Sequence, residues 1–146
     1  MIPGLIVREL REEDVEEVVR IHGEITRKPS PSVVEMLVRE NLEKNRGVGF
    51  VAEMGGRVLG FMMGEIKLGS FGLGQSFWIE MMAVDPKHMG TGIGQAIGER
   101  LFEFCKSKGV LDVYTAVRWD SGDILSFFKT LGFDRSNFVN LRKRLE

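Results

Sequence analysis

An apolar run, Phe77 to Val84, feeds a glycine cluster, Gly90-Thr91-Gly92-Ile93-Gly94, and a helical pattern from Gln95 to Lys108 leaves it. This strand–loop–helix join constrains the fold more than any other stretch of the chain. Nearly continuous apolar residues fit a central strand. Ile93, Ile97, Leu101, Phe104 and Cys105 then recur at helical spacing and form one stripe. Glycines at alternate positions leave backbone N–H groups uncovered at the start of a helix, where donors and helix dipole together favour an anion such as phosphate. A plain turn before a helix is the alternative, since glycine clusters are common loop punctuation. The spacing does not fit a dinucleotide fingerprint, and no Gly-Lys-Ser/Thr follows, as a nucleoside triphosphate loop requires.

The rest of the chain supplies the partners. Leu5 to Leu10 reads as a strand. Arg11-Glu12-Glu13-Asp14 opens a helix whose face is Val15, Val18, Val19, His22 and Ile25. Lys28-Pro29-Ser30-Pro31 breaks it, and Ser32 caps a second helix through Lys44 with Val33, Met36, Leu37 and Val38 as its apolar residues. Val48 to Met54 and Arg57 to Ile66 are strands joined by Gly55-Gly56, a hairpin signal because the favoured turn needs positive φ twice. Leu68 to Gly74 is a glycine-rich loop. Leu111 to Val117 is a strand, and Asp120 or Ser121 caps a helix ended by Gly132. Phe133 to Leu145 is expected to hold one or two closing strands. The order predicts a mixed α/β (α+β) fold, residues 1–146 forming a single domain with a central sheet flanked by helices.

Composition removes other classes. The 146 residues carry a net charge of −1, which gives no electrostatic case for nucleic acid or an anionic membrane. No apolar stretch approaches the roughly 20 residues of a membrane span. One cysteine excludes an internal disulfide, and two histidines far from it give no metal-ligand cluster. A cytoplasmic protein without metal is the expectation.

Val84-Asp85-Pro86 followed by Met89-Gly90-Thr91-Gly92-Ile93-Gly94 resembles motif A of the GNAT N-acetyltransferases. The likeness extends over the chain: Val7 to Asp14 is similar to the family's first strand and helix start, Val51-Ala52-Glu53 and Val58 to Phe61 to its central hairpin, and Leu131-Gly132-Phe133 to the segment after its last helix. The resemblance implies a mostly antiparallel GNAT-like sheet and acetyl-CoA as co-substrate. It implies that backbone N–H groups of Met89, Gly90, Thr91, Gly92, Ile93, Gly94 and Gln95 hold the pyrophosphate. Met82, Ala83 and Val84 would run along the pantetheine arm. Ser121 and Phe128 fall where relatives carry an asparagine and a tyrosine near the pantetheine and thiolate. Met89 replaces the usual arginine or glutamine, and Phe128 lacks the tyrosine hydroxyl that serves as general acid. Relatives often dimerise, so a homodimer is an open expectation.

Amine acetylation needs a neutral nucleophile. Deprotonating a lysine-like amine of pKa about 10.4 at pH 7 costs roughly 4–5 kcal/mol. Glu80, inside the apolar Trp78-Ile79-Glu80-Met81-Met82, is the candidate base, a role that the family likeness supports. A carboxylate that only binds the amine, or one paired with Arg118, is the alternative. Trp78, Arg118 and Trp119 are candidate acceptor contacts, the acceptor being a small-molecule or peptide amine. Tyr114 reads as a half-buried strand aromatic, Cys105 as core, and His22 as packing. A non-catalytic acyl-CoA binding module is the competing function.

Overall fold

The computed structural model describes residues 2–26 and 30–146. Strands β1 (Ile6–Glu9), β2 (Gly47–Met54), β3 (Arg57–Leu68), β4 (Gln75–Val84) and β5 (Val113–Thr115) lie side by side in chain order. Neighbours are antiparallel except β4 and β5, which run parallel. Helices α1 (Val15–Ile25), α2 (Pro31–Glu43), α3 (Ile93–Ser107) and α4 (Gly122–Thr130) complete the fold. A parallel join needs a crossover, and α3 supplies it between β4 and β5. The mixed, mostly antiparallel sheet is the one expected. Gly55 and Gly56 both take positive φ, 58° and 80°, as a two-residue hairpin turn of this kind requires.

The sheet buries both faces, so the apolar residues sort into two cores. Phe50, Ala52, Met62, Phe77 and Ile79 pack with Ile93, Ile97, Leu101 and Cys105 of α3 and Phe128 of α4. Val51, Phe61, Met63 and Ala83 pack on the other side with Val15, Val18 and Ile21 of α1 and Val34 and Val38 of α2. Truncating a fully buried ring such as Phe50 to alanine costs about 3–5 kcal/mol.

Five expectations are corrected. The cap position of α2 is Ser30 and not Ser32, because the helix already starts at Pro31, whose fixed φ suits a first helical position. On α2 the buried stripe is Val34, Val38 and Asn41, while Val33, Met36 and Leu37 are exposed. The helix is rotated because Asn41 is drawn inward, donating to the Gly64 carbonyl at 2.8 Å. On α1, Ile21 is buried and Ile25 is exposed, which recentres that face on Val15, Val18 and Ile21. Strand β5 is only three residues long, shorter than the expected Leu111 to Val117, because its pairing with β4 stops at Thr115. Finally, no closing strand forms within residues 133–146. So short a strand offers few backbone partners to an additional one, and Val139, Leu141 and Leu145 remain exposed. The Lys28-Pro29 part of the expected helix break lies outside the described residues.

One ionic cluster locks the start of the chain to the sheet. Arg8 on β1 grips Asp14 with two bonds of 2.8 Å and Glu53 on β2 with a third of 2.8 Å. Burial alone would raise the Asp14 carboxyl, but Arg8 and the backbone N–H of Arg11 hold it below the usual carboxylate range.

Candidate active site

The site begins where β4 stops being an ordinary strand. Along β3, Met63 pairs with Met81 and Gly64 with Ile79, which leaves Glu80 as the extra residue of a β-bulge. A bulge changes which residues share a face. Phe77 and Ile79 point to the α3 side, and so do Met82 and Val84. Met81 and Ala83 pack toward α1 and α2. Glu80 therefore shares with Trp78 the face opposite Ile79. It is exposed, and it makes no ion pair or side-chain hydrogen bond among the described residues. Arg118 is not its partner: that guanidinium holds Asp120 at 3.0 and 2.8 Å.

The bulge also opens the sheet. Strand β5 pairs with Phe77, Trp78 and Ile79 and no further, and the Thr115 hydroxyl donates to the Ile79 carbonyl at 3.2 Å. Past that point β4 has a neighbour on one edge only. The Asp85 N–H donates to the Leu59 carbonyl at 2.8 Å, which fixes the alternation along the β3 pair. Backbone groups of Ala83 and Met81 then face β3, and those of Met82 and Val84 face the open edge. An edge of peptide donors and acceptors without a strand partner thus runs from Glu80 toward the glycine loop.

That loop is built by its own backbone. The Asp85 carboxylate accepts from the Lys87 N–H at 3.0 Å, and the Asp85 carbonyl accepts from the His88 N–H at 2.8 Å, winding a tight turn over Pro86–His88. The Asp85 carboxyl lies below its usual range, first because of the Lys87 N–H and then because Arg20 of α1 reaches it at 3.3 Å. Gly90 and Gly92 follow at φ 77° and 92°, a region that side-chain-bearing residues avoid. Gly92 is the cap of α3, and no side chain caps the helix. The first-turn N–H groups of Ile93, Gly94 and Gln95 thus keep their donors for a ligand. The space where a Cβ of Gly90 would stand is open.

Gly94 serves another purpose. A Cβ there would sit 2.8 and 3.0 Å from the Phe127 ring of α4, and one on Gly98 would sit 3.0 Å from Leu131. The two glycines let α4 and the segment after it lie directly on α3. Sequence reasoning assigned Gly94 to phosphate clearance. In the structure its missing side chain makes room for Phe127.

The remaining candidates divide into two groups. Phe128 is buried in the α3-side core, edge-on to Phe127 and Phe133, and also lines an open groove of about 760 Å³ between β5, α4 and residues 133–138. Ser121 occupies the cap position of α4, but its side chain makes no capping bond, and Asp120 is held by Arg118 instead. Met89 is exposed at the loop. Trp119 is 88% exposed, and Arg118 is also exposed beside it. Trp78, by contrast, is partly buried and stacks on Tyr114 with ring centres 4.7 Å apart. Cys105 is buried, and burial pushes its thiol up to about 11, which rules against a thiolate at neutral pH. Among the described residues no group of three metal-ligating side chains assembles.

Sequence reasoning missed two participants. Phe127 gave no signal beyond a position on an apolar helix. Phe71 lay in a stretch read only as a flexible loop, yet it adopts φ 55° and leans on Trp78 with ring centres 5.5 Å apart and planes tilted by 47°. The glycines around it, Gly69, Gly72 and Gly74, were the available hint of a turn with unusual backbone.

A family model described as the Acetyltransferase (GNAT) family matches residues 9–133. Among solved structures, the chain is similar to a possible acetyltransferase from Clostridium difficile 630, with 16% identity, a TM-score of 0.82, and coverage of 97% of this chain and 98% of the other. It is similar to the aminoglycoside antibiotic 6'-N-acetyltransferase AAC(6')-IG from Acinetobacter haemolyticus, with 12% identity, a TM-score of 0.80, and coverage of 97% and 99%. The aminoglycoside N-acetyltransferase AAC(6')-Iy in complex with CoA superposes at a TM-score of 0.83 with 14% identity and 99% coverage of both chains. A split sheet edge that leads to an uncapped helix start, matched to this family model over most of its length, makes the chain a member of the GNAT acetyltransferase family.

Proposed function

We propose that the protein transfers an acetyl group from acetyl-CoA to a primary amine, by direct attack of the amine on the thioester. The observation that carries this reading is the open edge of β4 between Glu80 and Val84, which runs into the free N–H groups at the start of α3. These residues fit the co-substrate: helix-start donors suit a pyrophosphate, and the exposed peptide groups of Met82 and Val84 suit an amide-bearing arm. Acetyl-CoA supplies the activated acyl group.

The chain's own residues do the rest. Glu80, exposed at the bulge on the acceptor face, accepts a proton from the incoming ammonium, directly or through one water. Outward peptide N–H groups near Val84 stabilise the developing oxyanion. Trp78 is the candidate floor for the acceptor, with Arg118 and Trp119 at the rim. Phe128 has no hydroxyl, so the departing thiolate takes its proton from water. The test is thiol release against a panel of amines. Glu80→Gln is expected to lower kcat/KM by about 10²–10⁴. Full activity of that variant at every pH removes Glu80 from the base role.

A second reading has its own support. Met89 and Phe128 both lack the side-chain function found at these positions in relatives, which favours a non-catalytic acyl-CoA binding module. Calorimetric CoA binding without turnover on a broad amine panel would select it. Absence of CoA binding would exclude both readings.

A further inference from the structure

We propose that Phe71, Trp78, Tyr114 and Phe138 form an aromatic subsite for the acceptor, selecting an amine carried on a flat, aromatic body. This deepens the acetyl-transfer reading and rests on it for the role of Glu80. The four rings contact one another in a continuous chain beside the first half of β4. Trp78 stacks on Tyr114 at 4.7 Å, Phe71 leans on Trp78 at 5.5 Å and on Phe138 at 5.5 Å, and Tyr114 meets Phe138 edge-on at 5.7 Å. Trp78 and Glu80 are two residues apart on one face of the strand, a separation of about 7 Å. An amine at Glu80 therefore has its substituent directed over the rings.

Phe71 shows that this surface is more than packing. Its backbone is left-handed at φ 55° and ψ 30°, and it is the one non-glycine residue with positive φ among the described residues. A bulky residue there is strained. Its ring is nevertheless 70% exposed, so burial does not compensate for the strain. An aromatic ring held strained and open to solvent beside a candidate base is placed to meet something flat.

Lys67 lies over the Trp78 ring, 5.7 Å from its centre. Of the nearby carboxylates, Glu65 is engaged by Lys44 at 3.5 Å, while Glu80 and Asp112, the latter in the groove beside Tyr114 and Phe138, have no ion-pair partner among the described residues. Stacking on several rings adds affinity that an aliphatic amine of the same charge lacks.

The test measures binding separately from turnover. In a Trp119→Phe background the remaining indole is Trp78, so its fluorescence reports on the subsite. CoA-saturated protein is titrated with 2-phenylethylamine and with n-butylamine, which carry the same charge. The expected result is about tenfold tighter binding of the aromatic amine, lost in Phe71→Gly although that change relieves backbone strain and leaves the melting temperature unchanged or higher. Equal binding of the two amines, or a preference that survives Phe71→Gly, overturns the proposal. Thiol release is followed in parallel. A binding preference without acetylation of either amine would sustain the subsite while refuting acetyl transfer, and acetylation of both amines without preference would do the reverse.

Discussion

The two edges of β4 have different fates. Its β3 edge is paired from Gln75 to Val84, interrupted only by the bulge. Its β5 edge is paired for three residues and then abandoned. The first edge holds the protein together. The second presents unpaired peptide groups, and the candidate base sits where the two behaviours meet. On the proposed function, stability and chemistry are divided between opposite sides of one strand.

Substitutions can test that division. The largest effect is expected on the paired edge. A Cβ on Gly64 would lie 2.0 Å from the Trp78 carbonyl oxygen and 2.8 Å from the Phe77 ring, so Gly64→Ala forces backbone apart and should cost about 3 kcal/mol or more in denaturant unfolding. A loss below about 1 kcal/mol would mean that the paired edge yields easily. Next comes the helix behind the open edge. Gly94→Val collides with Phe127 and should cost about 2 kcal/mol while abolishing CoA binding by calorimetry. Retained CoA affinity would separate the α3–α4 contact from the loop.

The far closed end of the sheet depends on charge. Asp14→Asn loses charge-assisted bonds to Arg8 and should cost about 1.5 kcal/mol at pH 7. The Asp14 carboxyl lies below its ordinary value in the folded chain, so its contribution is present above about pH 4 and is lost as pH falls through the folded value. The melting temperatures of wild type and variant should therefore converge in acid; a constant gap would refute this. The smallest effect belongs to the open edge itself. Thr115→Val removes the 3.2 Å bond to the Ile79 carbonyl and should cost about 1 kcal/mol or less, with a larger relative change in KM for acetyl-CoA than in stability.

Much of this was legible in the chain. The Gly55-Gly56 turn, the stripe of α3 and the glycine loop follow from local chemistry, because each depends on residues within a few positions of one another. The orientation of α2 did not, because it depends on Asn41 reaching Gly64 on a distant strand. The bulge was equally hidden. Phe77 to Val84 reads as an uninterrupted run, and only pairing with Gly64 reveals that Glu80 is the residue left out. Glu80 was identified by its charge in an apolar segment, whereas the aromatic neighbours that surround Trp78 come from three separate stretches of sequence.

The turn at Pro86–His88 carries a kinetic consequence. Asp85 accepts from the N–H groups of Lys87 and His88, the Thr91 hydroxyl donates to the His88 carbonyl at 2.5 Å, and Gly92 is left-handed, all within the chain's own bonding. The ordering entropy of this segment is thus spent during folding and not at encounter. Association at the loop should proceed in one step, its rate linear in ligand concentration with no plateau from a slow loop rearrangement, and its heat-capacity change should reflect the apolar area covered and nothing more.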